Sequence, residues 1–225
     1  MSGKENIPVE IYRKKQLEMI LQKVPQPSNP KPELEQYLTP ANIAADLLWN
    51  AKILGDINKK VVVDLGCGTG IFSIGSSLLG AKKVLGIDID EDVIKTAESL
   101  SRELKLKNIL FLKKNVLKIS KKEIFQIVGE VDTLIQNPPF GIQKSAKKGM
   151  DKKFIKKALE LSKVIYSFHA KGSGSFIKKY FEKHGGKVTH VFQYTFPIPC
   201  IYEFHREEIK NVDVIVFRVL NYSLI

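Results

Sequence analysis

Cysteine is scarce in this chain, with only Cys67 and Cys200 among 225 residues. Two cysteines cannot build a disulfide framework or a cysteine-based zinc site, so a reducing, cytoplasmic setting is expected. The four histidines, His169, His184, His190 and His205, show no ligand spacing, and no metal site is expected of them. No apolar run approaches the roughly 18–20 residues of a membrane span, so no membrane association is expected. The opening "MSGKENIPVE" lacks a basic region followed by an apolar one, and no secretory leader is expected. Acidic residues are also in deficit: 24 Asp and Glu face 36 Lys and Arg, a formal charge of +12. That imbalance favours an anionic partner, most economically nucleic acid, although a lysine-rich composition alone would produce the same excess. Internal repeats and low-complexity tracts are lacking too.

What is present is enough apolar residue, 44%, for a full core in one domain with an extension. Over residues 9–24, Leu17, Ile20, Leu21 and Val24 recur at helical spacing among polar residues, which predicts an amphipathic, docked helix. "PQPSNPKPELEQYLTP" follows, five prolines in sixteen residues, a stiff surface loop. A helix over residues 41–54 begins just after Pro40. From residue 60 on, strands and helices alternate. "KVVVDL", "KVLGIDI", "NILFLKK", "VDTLIQ" and "KVIYSFH" read as five strands. "IFSIGSSLLG", "EDVIKTAESLSRELKL", residues 151–161 and "GSFIKKYFEKH" read as helices, with Asp151 capping the third. "KVTHVFQYTF" and "VDVIVFRVL" read as an antiparallel pair. Alternation of this kind implies an α/β fold, a mostly parallel sheet with helices on both faces.

Three strand ends carry chemistry. In "VVVDLGCGTG", Gly66, Gly68 and Gly70 stand where a strand turns into a helix, so the backbone can pass close to a ligand. A dinucleotide fingerprint would place its third glycine one position later, where Ile71 stands. Asp64, ending the strand before the glycines, would repel phosphate and attract an ammonium or sulfonium group. Asp88 ends the second strand, 24 residues after Asp64, where a carboxylate can accept both hydroxyl protons of a ribose. Helix capping falls more naturally to Asp90. Asn115 and Val116 follow the third strand, where an amide side chain and a backbone N–H could read an adenine edge; a solvated loop asparagine is the alternative. Together these describe a pocket for S-adenosyl-L-methionine.

The fourth strand ends in "NPPF". Two prolines cannot continue a sheet, so the chain stops in a rigid turn that carries Asn137 and Phe140. An exocyclic amine of a base is a poor nucleophile because its lone pair is delocalised into the ring. The Asn137 side-chain carbonyl and the Pro138 backbone carbonyl could accept its two N–H protons and aim the lone pair at a methyl donor. Pro138 and Pro139 would fix both carbonyls, and Phe140 would offer a face for base stacking. Guanine N2, or a glutamine side-chain amide of a protein, fits the same geometry. A non-catalytic RNA-binding assembly factor that kept the cofactor fold is a further alternative, and the intact "NPPF" argues against it. The run "KSAKKGMDKKFIKK" would border this mouth and could grip RNA phosphates; as a solvated face it would have no such role.

"DLGCGTG", "GIDID" and "NPPFG" resemble the motifs of Rossmann-like S-adenosylmethionine-dependent methyltransferases. With "LEQYLTP", "FSIG", "GMD", "IYSFH" and "YEFH", residues 34–218 resemble the methyltransferase-like protein 5 family. The resemblance implies methylation of N6 of an adenosine in small-subunit ribosomal RNA. It also implies a seven-stranded sheet of order 3-2-1-4-5-7-6, in a methyltransferase domain of residues 34–225 preceded by an N-terminal helix and proline-rich loop of residues 1–33. Gln36, Tyr37 and Thr39 of "EQYLT" would lie over the cofactor, and Thr69 would contribute chiefly its backbone. The family carries aspartate at the position of Asn115, so a different group would meet the cofactor's adenine. A small zinc-binding activator subunit is the implied partner. The third strand would be a sheet edge, and Ile109, Leu110, Phe111 and Leu112 make it unusually apolar for an unprotected edge, a place for that partner to pair.

Overall fold

The computed structural model describes residues 11–139, 149–199 and 209–225. Seven strands form one sheet: β1 (Val61–Leu65), β2 (Lys83–Asp88), β3 (Ile109–Lys113), β4 (Val131–Gln136), β5 (Ser162–Ala170), β6 (Gly186–Pro199) and β7 (Ile209–Asn221). Their order is β3-β2-β1-β4-β5-β7-β6, as expected from the sequence. β1 to β5 run parallel, and β7 lies antiparallel between β5 and β6. β1 is central because "VVVDL" is apolar on both faces, and all five of its residues are buried. Val62 enters one layer of the core and Val63 the other.

One face is covered by α1 (Lys14–Leu21), α2 (Ala41–Ile53), α3 (Ile71–Leu78) and part of α4 (Glu91–Glu103); the other by α5 (Lys121–Val128), α6 (Met150–Leu161) and α7 (Gly174–Lys183). Leu17 and Leu21 of α1 are fully buried in the same cluster as Leu47 and Leu48 of α2. α4 opens on Asp90, whose side chain accepts from the Asp92 N–H at 3.2 Å, as expected. Asp151 does not cap α6. The cap residue is Gly149, in the left-handed region at φ 77°, and Asp151 lies inside the first turn, accepting from the Lys152 N–H. From sequence the chain passed directly from the third strand to the fourth; α5 stands between them. It begins in a reciprocal cap, with Ser120 Oγ accepting from the Glu123 N–H and the Glu123 carboxylate accepting from the Ser120 N–H.

The carboxyl ends of β1, β2 and β4 share one edge of the sheet, so the glycine turn, Asp88 and Asn137 are brought together there by topology alone. Phe140, Cys200 and His205 lie outside the described residues.

Candidate active site

The glycine turn follows β1. Gly66, Gly68 and Gly70 all have left-handed φ, at 72°, 53° and 90°, a conformation that side chains strain to adopt. The Gly66 and Cys67 N–H groups donate to the Ile87 carbonyl, which folds the turn across the end of β2. A side chain on Gly68 would meet no atom within 4 Å, so the turn faces open space there. The Gly68 N–H donates to Asp88 Oδ2 at 2.9 Å, and the Asp90 N–H donates to Asp88 Oδ1 at 2.9 Å. Burial pushes the Asp88 carboxyl up despite those two N–H groups.

Across the cavity runs the loop of residues 33–39. Gln36 uses both ends of its amide: Nε2 donates to Asp90 Oδ2 at 2.8 Å, and Oε1 accepts from the Lys31 N–H at 2.9 Å. Lys31 adds an ion pair to Asp90 at 2.7 Å. Burial alone would raise the Asp90 carboxyl, but Lys31 and Gln36 outweigh it and hold it below its usual value. The loop is thereby tied to the cap of α4. Further along, Thr39 Oγ1 accepts from Asn137 Nδ2 at 3.1 Å, and the Tyr37 hydroxyl makes a long 3.5 Å bond to Asn137 Oδ1. The Asn137 amide is thus oriented from residues about a hundred positions earlier.

These elements enclose a cavity of about 350 Å³, a size suited to a nucleoside ligand. Of the residues singled out in the sequence, Gln36, Tyr37, Thr39, Gly66, Gly68, Thr69, Asp88, Asn115, Val116, Asn137 and Pro139 line it. Asp64, Gly70 and Pro138 are not among the lining residues. Asp64 is buried on the α3 side, where it accepts from Ser73 Oγ at 2.6 Å, and burial pushes its carboxyl up to about 7. Asn115 Oδ1 accepts from the Leu117 N–H at 2.9 Å, which shapes the turn after β3. Apolar walls from Leu34, Leu38, Ile71, Phe72 and Phe154 were not singled out, because nothing distinguishes them from core residues in the sequence. Lys153 belongs to the lysine run read in the sequence as bordering the mouth, and it lines the cavity.

His169 is buried beside Ser167, its Nε2 2.7 Å from Ser167 Oγ, and desolvation pushes its imidazole down to about 3. His184 and His190 are exposed on α7 and β6. None of the three reaches the cavity.

S-adenosyl-L-methionine fits the groups present. Asp88 offers a carboxylate suited to ribose hydroxyls, and the Gly68 turn leaves room for close approach. Thr69 Oγ1, buried in the cavity wall with no hydrogen-bond partner, is a polar group waiting for a ligand atom.

Comparison with known proteins bears on this geometry. A family model described as ribosomal protein L11 methyltransferase matches residues 49–137, the segment from α2 to Asn137. The rRNA N(6)-adenosine-methyltransferase Mettl5 of Drosophila melanogaster is 36% identical over 91% of this chain and 94% of its own length. An uncharacterized protein of Methanocaldococcus jannaschii is 41% identical over 93% of this chain and 94% of its own. Among solved structures, a candidate RNA methyltransferase from Pyrococcus horikoshii superposes with a TM-score of 0.82 at 38% identity, covering 94% of this chain and 98% of that one.

Proposed function

We propose, from the premise that this chain belongs to the METTL5 family of rRNA N(6)-adenosine-methyltransferases, that it methylates N6 of an adenosine in small-subunit ribosomal RNA. S-adenosyl-L-methionine, when bound, supplies an electrophilic methyl group. Asp88 takes the ribose hydroxyls, the Gly66–Gly68 turn and Thr69 pass close to the charged tail, and Asn115 with the Val116 N–H meets the adenine. Asp64 acts through burial behind the turn and not by contact.

The observation that carries the reading is the orientation of Asn137. Its Nδ2 is held by Thr39, and its Oδ1, which takes only a long bond from the Tyr37 hydroxyl, retains acceptor capacity at the cavity. With the Pro138 carbonyl it would accept hydrogen bonds from the two N–H groups of the target amine and so orient its lone pair, with no strong base needed. Pro139 makes the turn rigid, and Phe140, outside the described residues, would offer a face for base stacking. Incubation of unmodified ribosomal subunits with labelled S-adenosylmethionine, followed by digestion to nucleosides, tests this directly. N6-methyladenosine in the small-subunit RNA is expected; N2-methylguanosine, or label in protein, would overturn the assignment.

The reading extends to the chain's organisation and surroundings. Residues 34–225 form the methyltransferase domain, and residues 1–33 contribute an N-terminal helix and proline-rich loop. The setting is cytoplasmic, with a small zinc-binding activator as partner. β3 is an edge of the sheet, and its Leu110 is 49% exposed, whereas Phe111 packs inward. A partner strand pairing there would cover Leu110 and satisfy the free backbone groups of the edge.

A further inference from the structure

β4 and β5 are parallel, so α6 and α7 both descend from the edge of the sheet that carries the cavity. Lys153, in the first turn of α6, lines the cavity. Its neighbour Lys152 turns to α7 and places its ammonium 4.8 Å from the centre of the Phe176 ring. Phe176 is 48% exposed and starts a row of rings one helical turn apart. Its centroid is 6.0 Å from that of Tyr180, which is 4.3 Å from that of His184. Lys179 and Lys183, three and seven residues after Phe176, flank the row on the same helix.

The charge along this face is offset only in part, by Asp151 in the first turn of α6. The acidic residues Glu160 and Glu182 are taken by Lys157 and Lys178. Lys152, Lys153, Lys179 and Lys183 are exposed and, among the described residues, none is in an ion pair. A lysine face meant only for solvation has no use for a row of rings that runs from exposed Phe176 through half-buried Tyr180 to exposed His184. Rings to stack on, flanked by free ammonium groups and continuous with the cavity, match the chemistry of a single-stranded polynucleotide.

We propose that the α6–α7 face is the track for the RNA strand next to the target nucleotide. Lys153 meets a phosphate at the cavity mouth, the bases beyond stack on Phe176 and Tyr180, and the flanking lysines neutralise their phosphates. This rests on the RNA-methyltransferase reading and adds to it a route for the substrate.

Fluorescence anisotropy of the full chain with a labelled single-stranded RNA of roughly 12 nucleotides tests the track. Phe176→Ala should weaken binding roughly 5- to 100-fold, the loss of one stacked base, and Phe176→Tyr should restore it. Lys152→Glu with Lys179→Glu should flatten the slope of log affinity against log salt by about 1.4. Calorimetry should find S-adenosylmethionine affinity unchanged in each variant. Wild-type affinity and salt slope in these variants would overturn the track, as would RNA-independent cross-linking of this face to a protein. The two readings fail separately. Unaffected variants of an enzyme that forms N6-methyladenosine overturn only the track, whereas RNA binding that depends on Phe176 without methyl transfer to adenosine overturns only the activity.

Discussion

At the scale of single residues, Asn137 has its Nδ2 committed to Thr39, while its Oδ1, met by the Tyr37 hydroxyl at a long 3.5 Å, keeps a second lone pair for the cavity. Asn137→Ala should lower kcat by about 10²–10³, the cost of one oriented acceptor, with cofactor affinity and melting temperature unchanged. Single-turnover kinetics beside calorimetry would check both halves, and near-normal turnover would defeat the role. Thr39→Val, which removes the partner of Nδ2, should lower turnover by more than it weakens cofactor binding, while the Asp88 bond to the glycine turn stays intact. Asp64 belongs to stability. Its folded carboxyl titrates at about 7 against an ordinary 3.8, so the folded state holds the proton more tightly. Its contribution is therefore fully present below about pH 4 and is lost as pH rises toward 7, on the order of a few kcal/mol. In urea denaturation Asp64→Asn should match the wild type near pH 4 and gain on it steadily up to pH 7. Parallel curves for the two proteins would refute the assignment.

At the scale of elements, α5 shows what a local signal is worth. Ser120→Ala should destabilise by about 1 kcal/mol, measured by chemical denaturation, because the Glu123 N–H loses its acceptor. The same "SKKE" spacing was legible in the sequence, yet eight residues opening on two lysines gave too short a pattern to separate from loop. The long or uniformly apolar elements were legible: "VVVDL" as a central strand, the helix opened by Asp90, and the antiparallel pair. The sheet order was legible through the resemblance and not through periodicity, since strand pairing is non-local. Within the site, the glycine turn and Asp88 declared themselves by residue type and spacing. Gln36 did not declare its partners, because Asp90 is 54 positions away and neither residue is unusual alone. Asp64 was assigned to the ligand because charge is readable in a sequence, whereas the direction a residue faces near the end of a strand is set by packing. For the edge strand β3, Leu110→Lys should leave the isolated domain's melting temperature unchanged and abolish capture of a small zinc-binding partner on co-expression. Equal recovery of that partner with the variant would rule the edge out.

At the scale of the whole molecule, one buried node ties the two ends of the fold. Arg218 on β7 makes a bidentate pair with Asp56, just beyond α2, at 2.7 and 3.0 Å, and Tyr166 on β5 donates to the same carboxylate at 2.6 Å. Arg218→Met should cost about 3–5 kcal/mol in chemical denaturation, because the carboxylate is left buried without its cation. Asp56→Leu added to it should recover part of that loss, and an additive double mutant would show the pair to be uncoupled. The node has a consequence in time. Its partners are 162 positions apart, and β5 cannot acquire its neighbour β7 until nearly the whole sequence has been gathered. The contacts that build the cofactor cavity span up to 100 positions, from Tyr37 to Asn137, whereas the node spans 162, so both halves of the sheet wait on distant segments and the node carries the larger entropy of closure. Trp49 on α2, the single tryptophan, packs against the cluster that holds Val214 and Val216 of β7. In refolding, its fluorescence should settle only as the amide protons of β7 become protected, so the chain would acquire a place for its cofactor and be locked shut together.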